Sequence, residues 1–185
     1  GIKFNTANGG PAPEALTDQL CEAAGAAKAG RDGTTLIILG VLAGAFIAFG
    51  AMFMTVVTTG AGDLPFGVAR LLAGLVFSLG LILVLIGGAE LFTGDPLMVV
   101  AWASGRIELG SLLRAWAFVY VGNIAGAVGT AALVFLAGHY GFAGGAVGKT
   151  ALAIASTKAA LPTGQLFFLA VLCNVLVCLA VWMSF

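Results

Sequence analysis

The sequence predicts an all-α membrane protein, a helical bundle whose second transmembrane helix is broken. Three observations carry this. Of 185 residues, 61% are hydrophobic and 9% are charged, with a mean hydropathy of +1.11, far outside soluble globular usage. Charge-free windows long enough to cross a bilayer recur along the chain. One of them runs uncharged over 71–89 and then meets Glu90, Thr93-Gly94 and Asp95-Pro96 before turning apolar again over 96–105.

Residues 1–33 read as a cytoplasmic N-terminal segment. Within it, 13–28 forms a short amphipathic helix with Leu16, Leu20 and Ala24 on one side, lying on the membrane surface or against a neighbouring subunit. No signal peptide is expected in it, since 1–34 is polar or Ala-rich and ends in Lys28, Arg31 and Asp32. Residues 34–185 form the transmembrane domain, with a first span at about 35–60 and a second at about 65–90. Asp is a favoured N-cap and Pro a favoured first helical residue, so Asp95-Pro96 starts a half-helix over 96–105. At roughly 15 Å it is too short to span. Phe92-Thr93-Gly94 links the two pieces, and irregular backbone at membrane depth is tolerated only in protein or beside a cavity. A third span covers about 112–137 and a fourth about 160–185.

Gly40 and Gly44 in the first span, with Gly122 and Gly126 in the third, have the spacing that lets helices approach closely. Packing within the chain and contact between subunits both fit. With the N-terminus inside, Lys3, Lys28, Arg31, Arg106 and Arg114 face the cytoplasm against Arg70, Lys149 and Lys158 outside. That bias favours a cytoplasmic N-terminus.

Several function classes are excluded. Zero net charge leaves no footprint for nucleic acid. Cys21, Cys173 and Cys178 make no disulfide framework, and a single His without a Cys/His cluster argues against a haem or metal enzyme. No enzyme activity, cofactor or metal is expected. An Asn-Pro-Ala pair is absent, which disfavours a water channel of that type, and His139 reads as a loop residue rather than a relay.

The residues left are concentrated at the break. Thr93 sits in the linker, where its hydroxyl either donates to a passing anion or satisfies the broken backbone. Linker amides and the half-helix N-terminus add partial positive charge. Glu90 is expected to accept hydrogen bonds from freed linker amides. Asp95 is expected to be an N-cap, and Gly94 to belong to the turn. Asn123 and Asn174 are amides inside the third and fourth spans, suited to bonds across helices. Lys158 precedes the fourth span and either snorkels or faces a vestibule. Phe77, Leu81, Leu91 and Phe92 are packing residues by default, and the last two flank the break, where a dry constriction would form.

The stretches Phe77-Ser-Leu-Gly-Leu81, Gly88-Ala-Glu-Leu-Phe-Thr-Gly94, Ala103-Ser-Gly-Arg-Ile107, Val121-Gly-Asn123 and Leu172-Cys-Asn-Val-Leu-Val-Cys-Leu-Ala-Val-Trp-Met183 resemble the formate/nitrite transporter family. The resemblance runs from about residue 16 to the end and places Lys158 at the family's spacing before Asn174. It implies an aquaporin-like fold of six spans in two inverted halves, and a homopentamer with one pore per protomer in a bacterial inner membrane. It also implies a small monovalent anion as substrate. By position, Phe77, Leu81, Leu91 and Phe92 match constriction residues, Thr93 the linker hydroxyl, and Lys158 the lysine that attracts anions. Four spans are visible where the family has six, and the family's central histidine belongs to the part beyond them. Asp95-Pro96 departs from the family, where many members carry a neutral residue after the Gly.

The expected function is therefore transport of formate, by a channel or proton-coupled route. Nitrite is the main rival, with hydrosulfide or acetate behind it. A non-transporting membrane scaffold or half-length subunit is the alternative from another class. The expected partners are the anion, protons, the lipid bilayer and further copies of the chain.

Overall fold

The computed structural model describes residue 25 and residues 27–183. The amphipathic helix expected over 13–28 therefore lies mostly outside the described residues, which hold only its end, a single turn at Ala27–Ala29. Every described element is helical. Besides single turns and short 3-10 segments, the α-helices in order are α1 (Gly33–Thr58), α2 (Phe66–Ile86), α3 (Met98–Ala103), α4 (Leu109–Leu136), α5 (Ala146–Ala159) and α6 (Thr163–Trp182). Four of them, α1, α2, α4 and α6, are long and apolar enough to cross a membrane.

Asp32 caps α1, its carboxylate accepting from the Thr35 amide at 3.1 Å and the Thr35 hydroxyl at 2.5 Å. Those bonds from Thr35 hold the Asp32 carboxyl below its usual range. The second span ends at Ile86, four residues before the expected 90, because Gly87 and Gly88 turn the chain there, the latter at φ +62°. The half-helix is also shorter than expected. A 3-10 turn, Asp95–Leu97, comes first, and α-helix covers only Met98–Ala103. Helix α5 was not expected at all. A run of left-handed residues, including Ala143 at φ 53°, turns the chain from α4 into it.

Helix α1 is the centre of the packing, with α2 on one side and α4 on the other. Without side chains at the contact, two backbones can approach until their carbonyls touch. Gly40 and Gly44 of α1 meet Gly122 and Gly126 of α4 in this way, so both motifs serve packing within the chain. A Cβ at Gly122 would stand 2.8 Å from the Ile37 carbonyl, and one at Gly126 would overlap the Val41 carbonyl. The same device joins α1 to α2, where a Cβ at Gly50 would come within 3.1 Å of the Gly80 nitrogen. Around these seams Leu36, Met98, Leu112, Ala115 and Val119 form one buried cluster, and Ala43, Val84 and Ala89 another. Helix α6 stands apart, with none of its apolar window buried by the chain. It meets the rest at the Asp95–Leu97 turn.

Substituting Gly126→Leu forces carbon into the Val41 carbonyl and is expected to cost about 1–3 kcal/mol or more. Gly129→Ala, one turn further on in open space, is expected to be neutral. Thermal unfolding of the two variants in detergent checks this, and equal melting temperatures would refute the close-packed seam.

Candidate functional site

Breaking a helix inside a membrane frees backbone groups that lipid cannot satisfy, so each needs a partner from the protein. Here the partners are specific. The Glu90 amide donates to the Leu39 carbonyl of α1 at 3.2 Å, and the Gly94 and Asp95 amides fold back to the carbonyls of Leu91 and Phe92. Asn123 of α4 clamps the middle. Its Oδ1 accepts from the Phe92 amide at 2.9 Å, while Nδ2 donates to the carbonyls of Gly40 and Glu90, each at 2.9 Å. One amide thus ties α1, the linker and α4 together. The interhelical bonding expected of Asn123 is found, with the broken linker as one of its partners.

Thr93 is left out of this accounting. Among the described residues neither its amide nor its hydroxyl has a hydrogen-bond partner. Its carbonyl accepts from the Cys178 thiol of α6 at 3.5 Å. Cys178 Sγ in turn lies 3.6 Å from Asn174 Nδ2, a long contact to a weak acceptor. Thr93 is half-buried, so two donors at the break remain available.

Glu90 and Asp95 are both 1% exposed, and the structure corrects the role expected of each. Glu90 does not serve the linker amides; Asn123 takes the Phe92 amide instead. The Glu90 carboxylate pairs with Arg31 and with Lys28, whose Nζ lies 2.5 Å from Oε2. Asp95 does not cap the half-helix, where Gly94 holds the N-cap position without a side-chain bond. Its Oδ1 accepts from Lys28 Nζ at 3.2 Å. The reason is electrostatic: a buried carboxylate gains far more from an ammonium at contact than from one more amide. Burial works against the charge on Lys28, but the Asp95 and Glu90 carboxylates outweigh it and hold the ammonium above its usual pKa. Arg114 secures the segment that delivers these cations, donating to the carbonyls of Ala29 and Arg31, both at 2.9 Å. The indole of Trp116 donates to the Asp95 carbonyl at 3.2 Å.

The bulky residues beside the break part company. Leu91 packs on the cluster shared by α1 and α2, and Phe92 on that of α3 and α4. Phe92 stacks edge-on against Trp116 and Tyr120, with centroids 6.0 and 5.2 Å away. Phe77 and Leu81 are half-buried on α2, roughly 14 and 8 Å of helix rise before Ile86. Lys158 is at the far end of the bundle, exposed in the last turn of α5 and lining a recess of about 730 Å³. The structure thus gathers Glu90, Thr93, Gly94, Asp95 and Asn123 at the break, whereas Asn174, expected to bond across helices, contacts only Cys178 of its own helix among the described residues. Sequence reasoning missed Lys28, Arg31, Arg114 and Cys178. For the first two a signal existed: a carboxylate at membrane depth requires a cation, and these two stand just before α1. Among the described residues no group of His, Cys, Asp and Glu is placed to hold a metal.

Against known proteins, the family model described as formate/nitrite transporter matches residues 15–185. The formate channel FocA of Escherichia coli (strain K12) is 43% identical over 167 residues, which cover 90% of this chain and 59% of that one. The chain therefore spans about three fifths of that curated relative's length. A solved structure described as a pentameric formate channel with formate bound matches with a TM-score of 0.78 at 45% identity, covering 82% of this chain and 60% of the other. Another, an FNT family ion channel, matches with a TM-score of 0.73 at 26% identity, covering 92% and 66%.

Replacing Asn123 with Leu withdraws three hydrogen bonds and strands the Phe92 amide, at an expected cost of about 1–3 kcal/mol for that donor alone. Asn174→Leu loses only the long contact to sulfur and is expected to cost under about 1 kcal/mol. Melting temperatures of the paired variants decide it, and an Asn123 variant as stable as the Asn174 one would contradict the clamp.

Proposed function

The chain belongs to the formate/nitrite transporter family, and we propose that it carries small monovalent anions, formate foremost, past the helix break at Thr93. The observation that carries this reading is the pair of unpartnered donors on Thr93, beside acids whose charge is cancelled locally. Two cations, Lys28 and Arg31, face two carboxylates, Glu90 and Asp95, so the cluster sums to zero. An anion approaching Thr93 meets donors without a net negative field. Formate is preferred to nitrite because the relatives and the bound-state structure described above carry formate in their names. The competing scaffold reading gives no reason to leave a threonine amide and hydroxyl free at membrane depth.

Lys158 at the far mouth raises the local anion concentration. Leu91 and Phe92 at the break, with Phe77 and Leu81 further along α2, form the dry part of the path, where an ion loses several kcal/mol of hydration. A proton taken up on the way converts formate to the neutral acid and removes most of that penalty. The working assembly is a homopentamer in a bacterial inner membrane, with the N-terminus and the Lys28 cluster on the cytoplasmic side. The pentameric match supports the assembly, and the distribution of Lys and Arg supports the orientation.

In proteoliposomes, formate uptake is expected to be saturable and faster at external pH 5 than at 7.5. Thr93→Val, which removes the hydroxyl at nearly constant volume, is expected to slow it about tenfold. Lys158→Ala is expected to slow uptake while leaving the oligomer intact on size exclusion. Absence of flux above empty liposomes would overturn the transport reading in favour of the scaffold.

A further inference from the structure

The recess that holds Lys158 is lined by a second cation, Arg70. It lies between the end of α1 (Met54, Thr58), the first turns of α2 (Phe66, Ala69, Arg70, Ala73) and α5 (Thr150, Ile154, Lys158). Of its lining residues only Arg70 and Lys158 carry charge, and both are positive. Asp63 stands on the connecting turn but does not line it. Among the described residues neither cation forms a salt bridge.

Lys158 has an ordinary structural reason for its place, since a cation in the last turn complements the helix dipole. Arg70 stands in the second turn of α2, beyond the reach of the dipole at either end of the helix. Its guanidinium is nevertheless held, with Cζ 5.0 Å from the Phe66 ring centroid, a stacking that keeps the planar group oriented and partly dehydrated. Nor do the threonines compete for an anion. The hydroxyls of Thr58, Thr150 and Thr157 donate to the carbonyls of Met54, Ala146 and Ala153 in their own helices. Recognition in the recess falls to the two cations, and they are chemically different. A guanidinium presents parallel N–H groups that match a planar anion with two oxygens, whereas an ammonium is a point charge indifferent to anion shape.

From this we infer that Arg70 determines specificity at the mouth, its fork selecting planar two-oxygen anions over spherical ones, while Lys158 supplies attraction without selection. The inference rests on the transport reading for its purpose but not for its measurement, which is binding. Saturation-transfer NMR on the formate proton, with the purified detergent-solubilised protein at pH 7, reads occupancy directly. Nitrite (planar, two oxygens) and chloride (spherical) serve as displacing ions. With the wild type, nitrite is expected to displace formate at about one tenth of the chloride concentration. Arg70→Lys keeps the charge but loses the fork, and the two ions should then displace at similar concentrations. Lys158→Gln should weaken both while keeping their ratio. An unchanged nitrite-to-chloride ratio in Arg70→Lys, or a ratio that collapses in Lys158→Gln instead, overturns the assignment. Formate that binds with the expected ratios yet shows no uptake in vesicles would refute transport and leave the Arg70 assignment standing.

Discussion

A backbone that leaves the helix inside a membrane must find all its hydrogen-bond partners within the protein. That demand governs the region from Gly87 to Leu97. Except at Thr93 it is met largely by a carbonyl from α1, by local turns and above all by Asn123, whose side chain joins three parts of the bundle. The close seams of small residues serve the same end. Asn123 reaches Gly40 only because Gly40, Gly44, Gly122 and Gly126 bring α1 and α4 to backbone contact. Packing density and polar satisfaction are therefore one problem here, solved by one set of residues.

The charges obey a second accounting. Glu90 and Asp95 would be prohibitively costly alone in hydrocarbon, and their neutralisation comes from residues before the first span rather than from neighbours in sequence. The segment carrying Lys28 and Arg31 is thereby fastened to the break at two levels, through its side chains and through its carbonyls on Arg114. Among the described residues Thr93 keeps both an amide and a hydroxyl without a partner at the break. Asn123 and the ion cluster together hold the linker.

Much of this was legible in the sequence. Charge-free windows reveal membrane helices because hydrocarbon penalises every exception, and the acid and Pro-bearing stretch at 87–96 marked the break for the same reason. Asn123 was legible as a cross-helix amide, though not as the clamp of the linker, since that role depends on which backbone groups the break leaves nearby. Asp95 misled, because local statistics assign it to a cap while a lysine 67 residues away claims it. Helix α5 was missed because it is too short to span and so leaves no mark in a search for spans. The Gly50–Gly80 contact was missed since neither glycine belongs to a spaced pair within its own helix. Long-range electrostatics and pairings between helices are properties of the fold, and a one-dimensional pattern carries them only faintly.

The ion cluster also has a direction in time. Arg31 precedes Glu90 by 59 residues and Lys28 precedes Asp95 by 67, which at roughly 5–20 residues per second is a lead of roughly 3–13 s during synthesis. The counterions leave the ribosome first and wait at the membrane surface when the two acids follow. A nascent chain built in this order has both counterions made before either acid, whereas a circular permutant that placed the basic segment last would make the acids first.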